Sequence, residues 1–303
     1  MSPRRVSKGE EDKTAEDSDS STDDEYQEFV VSGSTEAVLL VSYLLTWQRD
    51  TFGRKYMHKL PSLGAHNVAL SSDNSTIAAV SMDGILTLLD VANGVTISSV
   101  SHALVPNFWS TAFGGSADCV FGGTGYGQVH MYDTKTGKLK HSYDTERREN
   151  VLGLAVARND RFVAASDYAG CLTLFDAETG QIVRQTHVGK PMRRLSFDPE
   201  MRRLLAACDD KTVKLFNMPN GCLHDCLMGH NSLVMSVDCS PDGTTFASAA
   251  HDGTVNIWDS RYTKLNNTYV PKKDAKLWDV AFAKSNNKIV WVDEDTGINL
   301  YYL

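Results

Sequence analysis

The chain has 303 residues, 42% of them hydrophobic, and a formal net charge of −8. That content is enough for a folded core, but the longest apolar run, Ala37 to Leu45, is only about half of the ~20 residues that a helical bilayer crossing needs. Six cysteines without a signal-peptide pattern do not suggest a disulfide framework, so an intracellular soluble protein is the expectation.

Residues 1–28 stand apart from the rest of the chain. They hold ten acids and four bases, a net −6, which leaves −2 for the remaining 275 residues. They contain no aliphatic stretch and no aromatic residue before Tyr26. Such a segment cannot bury enough apolar surface to offset the entropy of ordering it, so a disordered acidic tail is expected. Arg4-Arg5-Val6-Ser7 has the form of a basophilic kinase site, and Ser20, Ser21 and Thr22 each precede an acid by three residues, as acidophilic kinases prefer. The nearly neutral body gives no electrostatic case for direct nucleic-acid binding. Its basic doublets, Arg147-Arg148, Arg193-Arg194 and Arg202-Arg203, are scattered among acids and read as solvated surface.

Residues 29–303 read as short strands and turns. Phe29-Val30-Val31-Ser32-Gly33 has the pattern of a second strand and Val38 to Val41 that of a third, with no inner strand ahead of them. A short inner strand comes next, around Val68-Ala69-Leu70. From there a cassette recurs: Gly, then alternating apolar residues, then an aromatic and Asp. It appears at Gly84 to Asp90, Gly127 to Asp133, Gly170 to Asp176, Lys211 to Asn217 and Gly253 to Asp259, with a worn copy at Gly297 to Tyr302. The closing positions are 43, 43, 41, 42 and 43 apart. One unit shows the local logic. Leu233 to Cys239 alternates as a strand, and Ser240-Pro241-Asp242-Gly243 is a turn, with Pro presetting φ and Gly taking positive φ. Thr245 to Ala249, Thr254 to Trp258 and Lys264 to Val270 complete a four-strand meander. No long helix and no Gly-rich phosphate loop ahead of a helix is evident.

Self-similarity at this period with an aromatic-Asp close is the signature of a WD-repeat β-propeller. The expected fold is therefore all-β: a seven-bladed ring over residues 29–303, its first blade incomplete, carrying the acidic tail of residues 1–28. The inner strands align from Asn107, Asn150, Pro191, Leu233 and Lys276, and their third column holds Trp109, Leu152, Arg193, Met235 and Trp278. Core columns are uniform; a column that mixes Trp with Arg reads as surface at the ring mouth.

Three constellations invite chemistry. His230, Ser248 and Asp252 contain the parts of a hydrolase triad, but with Trp258 behind them they resemble the structural network of WD-repeat domains. There the His bridges turn Asp and strand Ser, and the Ser reaches the indole N–H. Cys222, His224 and Cys226 share a strand face without the spacing of a zinc knuckle. Asp293-Glu294-Asp295 lacks the spacing of a calcium loop. No catalytic residue, no metal and no cofactor is therefore assigned.

The run from Gly127 to Asp259 resembles the small WD-repeat subunit of the Ski (superkiller) complex, in animals also a component of the polymerase-associated factor complex. The similar stretches are Gly127 to Lys138 with Tyr143-Asp144-Thr145, Phe175 to Gly180, Pro191 to Pro199, and Lys276-Leu277-Trp278-Asp279-Val280. The resemblance implies a non-catalytic adaptor that docks a helical-repeat scaffold and supports a helicase–exosome assembly in mRNA decay. It also implies a role in transcription elongation in animals, and residence in nucleus and cytoplasm. By this resemblance the partner face lies at the ring mouth: Trp109, Arg193 and Trp278 on inner strands, with Tyr126, Tyr168 and His251 in second-turn loops. The departure lies at the first blade, where the acidic tail stands in place of the usual closing and inner strands. The other reading kept open is a histone-tail or degron reader of a chromatin or ubiquitin ligase complex, which would need an acidic or basic cup at the mouth.

Overall fold

The computed structural model describes residues 29–36, 41–48, 54–60, 65–101, 107–271, 275–283, 288–294 and 298–302, with side-chain detail for those between 65 and 294 and for Asn299 and Tyr301. These residues form seven antiparallel sheets, and every described element is a strand or a turn. Sheets two to six have four strands each, in meander order. The first has three, Phe29–Glu36, Val41–Gln48 and Arg54–Leu60, and so has the seventh, Leu277–Phe282, Lys288–Asp293 and Ile298–Tyr302.

The cassette is the third strand of each repeat together with the turns that bracket it. Its Gly opens the strand with φ of 77° at Gly84, 74° at Gly127, 81° at Gly170 and 79° at Gly253. Only glycine reaches this region without a Cβ clash, and the fifth sheet places Lys211 there at 73° instead. The residue before the closing Asp is buried: Leu89, Tyr132, Phe175, Phe216 and Trp258 are all between 0% and 2% exposed. The Asp caps the next turn, as when Asp133 accepts from the N–H of Thr136 and Asp176 from that of Thr179, both at 2.8 Å.

Apolar side chains meet between consecutive sheets. In the inner strand of the sixth sheet, Val234–Cys239, Val234 and Val237 pack on Leu205 and Ala207 of the fifth sheet. Leu277 and Val280 pack on Ala247 and Ala249 of the sixth. The inner strands stand side by side in the order Ala65–Leu70, Phe108–Phe113, Val151–Val156, Met192–Phe197, Val234–Cys239, Leu277–Phe282. Together they surround one channel: residues of all six line a cavity of about 300 Å³ at the end where these strands begin. A second cavity, of about 410 Å³, occupies the other end, and Arg194 lines both. Across the channel the guanidinium of Arg194 donates to Asn67 Oδ1 at 3.4 Å. This is the arrangement of a β-propeller.

The first unit differs from the expectation. Its third strand is Val41–Gln48, not Val38 to Val41. The hairpin pairs Glu36 with Val41 and Phe29 with Gln48; residues 37–40 lie outside the described residues. Phe29–Glu36 is a second strand, as expected, for it packs on Ala65–Leu70 the way Thr76–Ser81 packs on Phe108–Phe113. Among the described residues no strand pairs with its other edge. Residues 1–28, expected to form an acidic tail, lie outside the described residues.

One substitution tests the turn chemistry. A Cβ on Gly127 would lie 1.6 Å from the carbonyl oxygen of Arg147, on a backbone that already disfavours it. Gly127→Ala is expected to lower stability by more than about 1 kcal/mol, measured by urea denaturation.

Candidate functional site

Each described inner strand carries a register shift at its second residue. Ala65 and Asn67 pair with Ser81 and Val80, so His66 is left over. In the same way Trp109, Leu152, Arg193, Met235 and Trp278 have no partner in their ladders. A β-bulge adds one residue, bends the strand and re-aims that side chain. Six bulges at one level aim six side chains into one place: all of them line the 300 Å³ mouth.

The turns between second and third strands stand on the same rim. Their backbone N–H groups donate to the start of the inner strand: Tyr168 to Asn150 O at 3.0 Å, Asp209 to Pro191 O at 2.9 Å, His251 to Leu233 O at 3.0 Å. Of the residues singled out from sequence, Trp109, Arg193 and Trp278 line the mouth. His251 joins them edge-on to Trp278, with ring centroids 4.6 Å apart. Tyr126 and Tyr168, 57% and 55% exposed, stand in these rim turns but do not line the cavity.

Two pairs dominate the mouth. His66 meets Trp109 edge-on at 4.8 Å, as His251 meets Trp278. Burial lowers the pKa of His66. Burial, and after it the charges of Arg193 and Lys276, lowers that of His251. Both rings are therefore neutral at pH 7. The indole N–H of Trp109 and Nε2 of His251 are buried without a partner among the described residues, a costly condition unless a ligand or water supplies one. Arg193 is not free: its guanidinium grips Asp209 with two bonds, of 2.5 and 2.8 Å. Lys276 pairs with Glu294 at 3.6 Å. Two more charged residues line the mouth: Arg194, whose guanidinium reaches Asn67, and Asp279, which accepts from the Ser236 hydroxyl. His66, Met235 and Leu152 are absent from the candidate set drawn from sequence. Aligning Ala65 to Leu70 with the other inner strands would have placed His66 in the column.

Deeper in the channel, Asp238 accepts from the N–H of Phe282 at 2.9 Å and from the Ser196 hydroxyl at 3.2 Å. Burial pushes its pKa up to about 6, although those donors and the Arg194 charge work the other way. A carboxyl with a raised pKa favours the fold while protonated and opposes it once ionised. The penalty is absent near pH 4 and grows as pH rises through 6. Asp238→Asn is expected to raise stability at pH 7–8 by roughly 1–3 kcal/mol and to change little at pH 4, by paired denaturation curves.

The sixth-sheet constellation is a closed network. Trp258 Nε1–H donates to Ser248 Oγ at 2.9 Å, and Ser248 Oγ lies 2.7 Å from His230 Nε2. The serine oxygen receives the indole proton, so its own proton goes to Nε2. That leaves Nδ1–H facing Thr254 Oγ1 at 2.9 Å and the Asp252 carboxylate at 3.4 Å. Asp252 also accepts from the Asn231 N–H at 2.6 Å and from the Thr254 hydroxyl at 2.6 Å. Burial raises the Asp252 pKa, but the bonds from His230, Thr254 and Asn231 outweigh it and hold the carboxyl well below the usual range. Thr254 is a fifth member, absent from the set drawn from sequence. Ser248 is 0% exposed, so its hydroxyl offers no approach to a substrate. Cys222, His224 and Cys226 lie on an outer strand, and among the described residues no three His, Cys, Asp or Glu side chains are grouped to hold a metal.

His230→Ala strands Ser248 and Asp252 and is expected to cost about 1–3 kcal/mol at pH 7. The share that acts through Asp252 is fully present above the ordinary carboxylate pKa, about 4. It fades as pH falls below that. Melting curves at pH 7 and pH 3 check both statements.

Similarity to known proteins agrees with the fold. A profile described as "WD domain, G-beta repeat" matches residues 221–259. One described as "Outer membrane protein assembly factor BamB" matches residues 82–213. Similar proteins include the WD repeat-containing protein SL1-17 of Schistosoma mansoni, 26% identical over 64% of this chain and 63% of that protein. A striatin homolog of Dictyostelium discoideum is 25% identical over 64% of this chain and 23% of its own length. Superkiller complex protein 8 of the same organism is 36% identical over 25% of this chain and 26% of its own. The chain spans less than two thirds of the length of each of these relatives. It carries WD repeats and has WD-repeat homologues.

Proposed function

We propose that this protein is a non-catalytic adaptor whose channel mouth docks an extended segment of a protein partner, within a Ski-type assembly. The carrying observation is the convergence of six bulge residues on one opening, two of them tryptophans and one, Trp278, 48% exposed. Tryptophan at the centre of a concave patch contributes strongly to interface energy, because it combines a large apolar area with a hydrogen-bond donor. The unpartnered indole N–H of Trp109 suits a backbone carbonyl of such a segment. The stretch similar to Superkiller complex protein 8 favours a helical-repeat scaffold and an RNA helicase complex as company, acting in mRNA decay and transcription elongation, in cytoplasm and nucleus. Histone-tail or degron reading is the weaker alternative, since the mouth holds both signs of charge, Arg193 and Arg194 beside Asp279, rather than an acidic or a basic cup.

Trp278→Ala is the informative variant. Its side chain is half exposed, so the melting curve should stay close to wild type, whereas Arg193→Glu would set two acids together at Asp209 and unfold the rim. Affinity purification followed by mass spectrometry should recover a helical-repeat scaffold and an RNA helicase. Trp278→Ala should weaken that capture by about 2 kcal/mol, roughly 30-fold. Recovery of ubiquitin ligase or chromatin subunits instead, or unchanged capture by the variant, would overturn the reading.

A further inference from the structure

The channel does not end at the mouth. Past Arg194 it widens into the second cavity, of about 410 Å³, at the opposite end of the ring. Its width has a local cause. The fifth residues of the six inner strands are Ala69, Ala112, Ala155, Ser196, Asp238 and Ala281, all small but Asp238, and all of them line it. Phe113, Val156 and Phe197, at the strand ends, add apolar wall. A concave site of this size, mostly apolar with a few polar groups, is of the kind that holds a small molecule. The polar groups here are unevenly satisfied. Asp238 accepts from the N–H groups of Cys239 at 3.0 Å and Phe282 at 2.9 Å, and from the Ser196 hydroxyl. Asp198 accepts from the N–H groups of Arg202 and Arg203, at 2.7 and 3.1 Å. The two guanidiniums of the cavity are not gripped in this way. Arg194 has its 3.4 Å bond to Asn67 Oδ1, Arg158 stands exposed, and among the described residues no carboxylate forms an ion pair with either. The ring itself does not call for a cation there: the residues that match Arg194 in the other inner strands are Asn67, Ser110, Gly153, Ser236 and Asp279.

We propose that this cavity is a second binding site, for a small organic monocarboxylate: its carboxylate engages the guanidinium of Arg194, Arg158 adds positive charge at the edge, and its apolar body lies within the ring of small fifth residues. A guanidinium presents paired N–H donors that match the two oxygens of a carboxylate. In a confined, largely apolar site that attraction is stronger than in water, and a charge without a partner there is costly. Asp238 and Asp198 limit the charge of the ligand. Both stand on the same walls, so a dianion is repelled more than a monoanion. A cation is the poorer match, because the groups that still seek a partner are donors and both acids already accept from the framework. Of the residues that line this cavity, Arg194 alone also lines the mouth, so the site stands apart from the partner contacts proposed there.

The probe is 2-naphthoate, titrated into the full chain by isothermal calorimetry, with the uncharged 2-naphthamide as its control. Saturable one-to-one binding of naphthoate is expected, at least tenfold tighter than that of naphthamide. Arg194→Gln removes the guanidinium and should weaken naphthoate at least tenfold while leaving naphthamide unchanged. Ala281→Leu, at an exposed fifth position, keeps every charge and should weaken both by filling the cavity. Asp238→Asn removes a like charge and should tighten naphthoate alone. Trp278→Ala should alter neither. Melting curves establish that each variant is folded. Absent binding, equal affinity for the two probes, or naphthoate binding that survives both Arg194→Gln and Ala281→Leu would overturn the assignment. Loss of naphthoate binding in Trp278→Ala would place the probe at the mouth and overturn it equally.

Discussion

A sheet of four six-residue strands has two apolar faces and no means of covering either one alone. The rest of this protein is built around that constraint. Each of sheets two to six hides one face against the sheet before it and the other against the sheet after it, so no repeat is stable by itself. The hydrophobic clusters show this directly. Leu205, Ala207, Val213 and Leu215 of the fifth sheet share one cluster with Val234, Val237, Phe246 and Trp258 of the sixth. The near-constant spacing of the cassette is a consequence: a repeat that drifted in length would shift its alternating residues off the neighbouring face.

Stacking of this kind would by itself produce an inert ring. The bulge at the second residue of each inner strand changes that. It removes one side chain from the ladder at a single level in six strands, where it is no longer constrained by the packing that dictates its neighbours. The first and fourth residues remain apolar in nearly every repeat because they lie between sheets. The bulge residue is free to be His, Trp, Leu, Arg, Met or Trp. Variation at that position costs the fold little, and so the scaffold can be held constant while the mouth acquires its own chemistry.

Much of this is legible in the sequence, and the remainder is hidden for physical reasons. The cassette carries the third strand and both its turns, because glycine at positive φ, a buried aromatic and a capping Asp are local requirements. The mixed column of Trp109, Leu152, Arg193, Met235 and Trp278 is visible as a column. The backbone register that explains it is not, since a bulge exists only once two strands are paired. Non-local partners are equally hidden. Nothing near Arg193 in the chain announces Asp209, sixteen residues on, as the carboxylate that grips it. His66 escapes the column because its strand begins with Ala rather than a large apolar residue, which makes the strand look shorter than Ala65–Leu70. The third strand of the first unit is misplaced by the sequence pattern for a related reason: the apolar run there is continuous, and alternation gives no register within it.

Burial compared across equivalent positions carries information that a single position does not. Val290 alone would be an ordinary, partly buried valine. Set beside Ala247, Leu205, Ala164, Phe121 and Ala78, each at most 3% exposed, it departs from the burial that sheets two to six keep at this position. The seventh sheet also shows how the rule and the mouth interact. Trp278 lines the mouth and, among the described residues, is the exposed tryptophan, whereas Trp258, packed between the fifth and sixth sheets, is 2% exposed and hydrogen-bonded. Exposure at the mouth therefore follows from the bulge that takes a side chain out of the ladder: Trp278, at a bulge position, is open, and Trp258, inside the stack, is not.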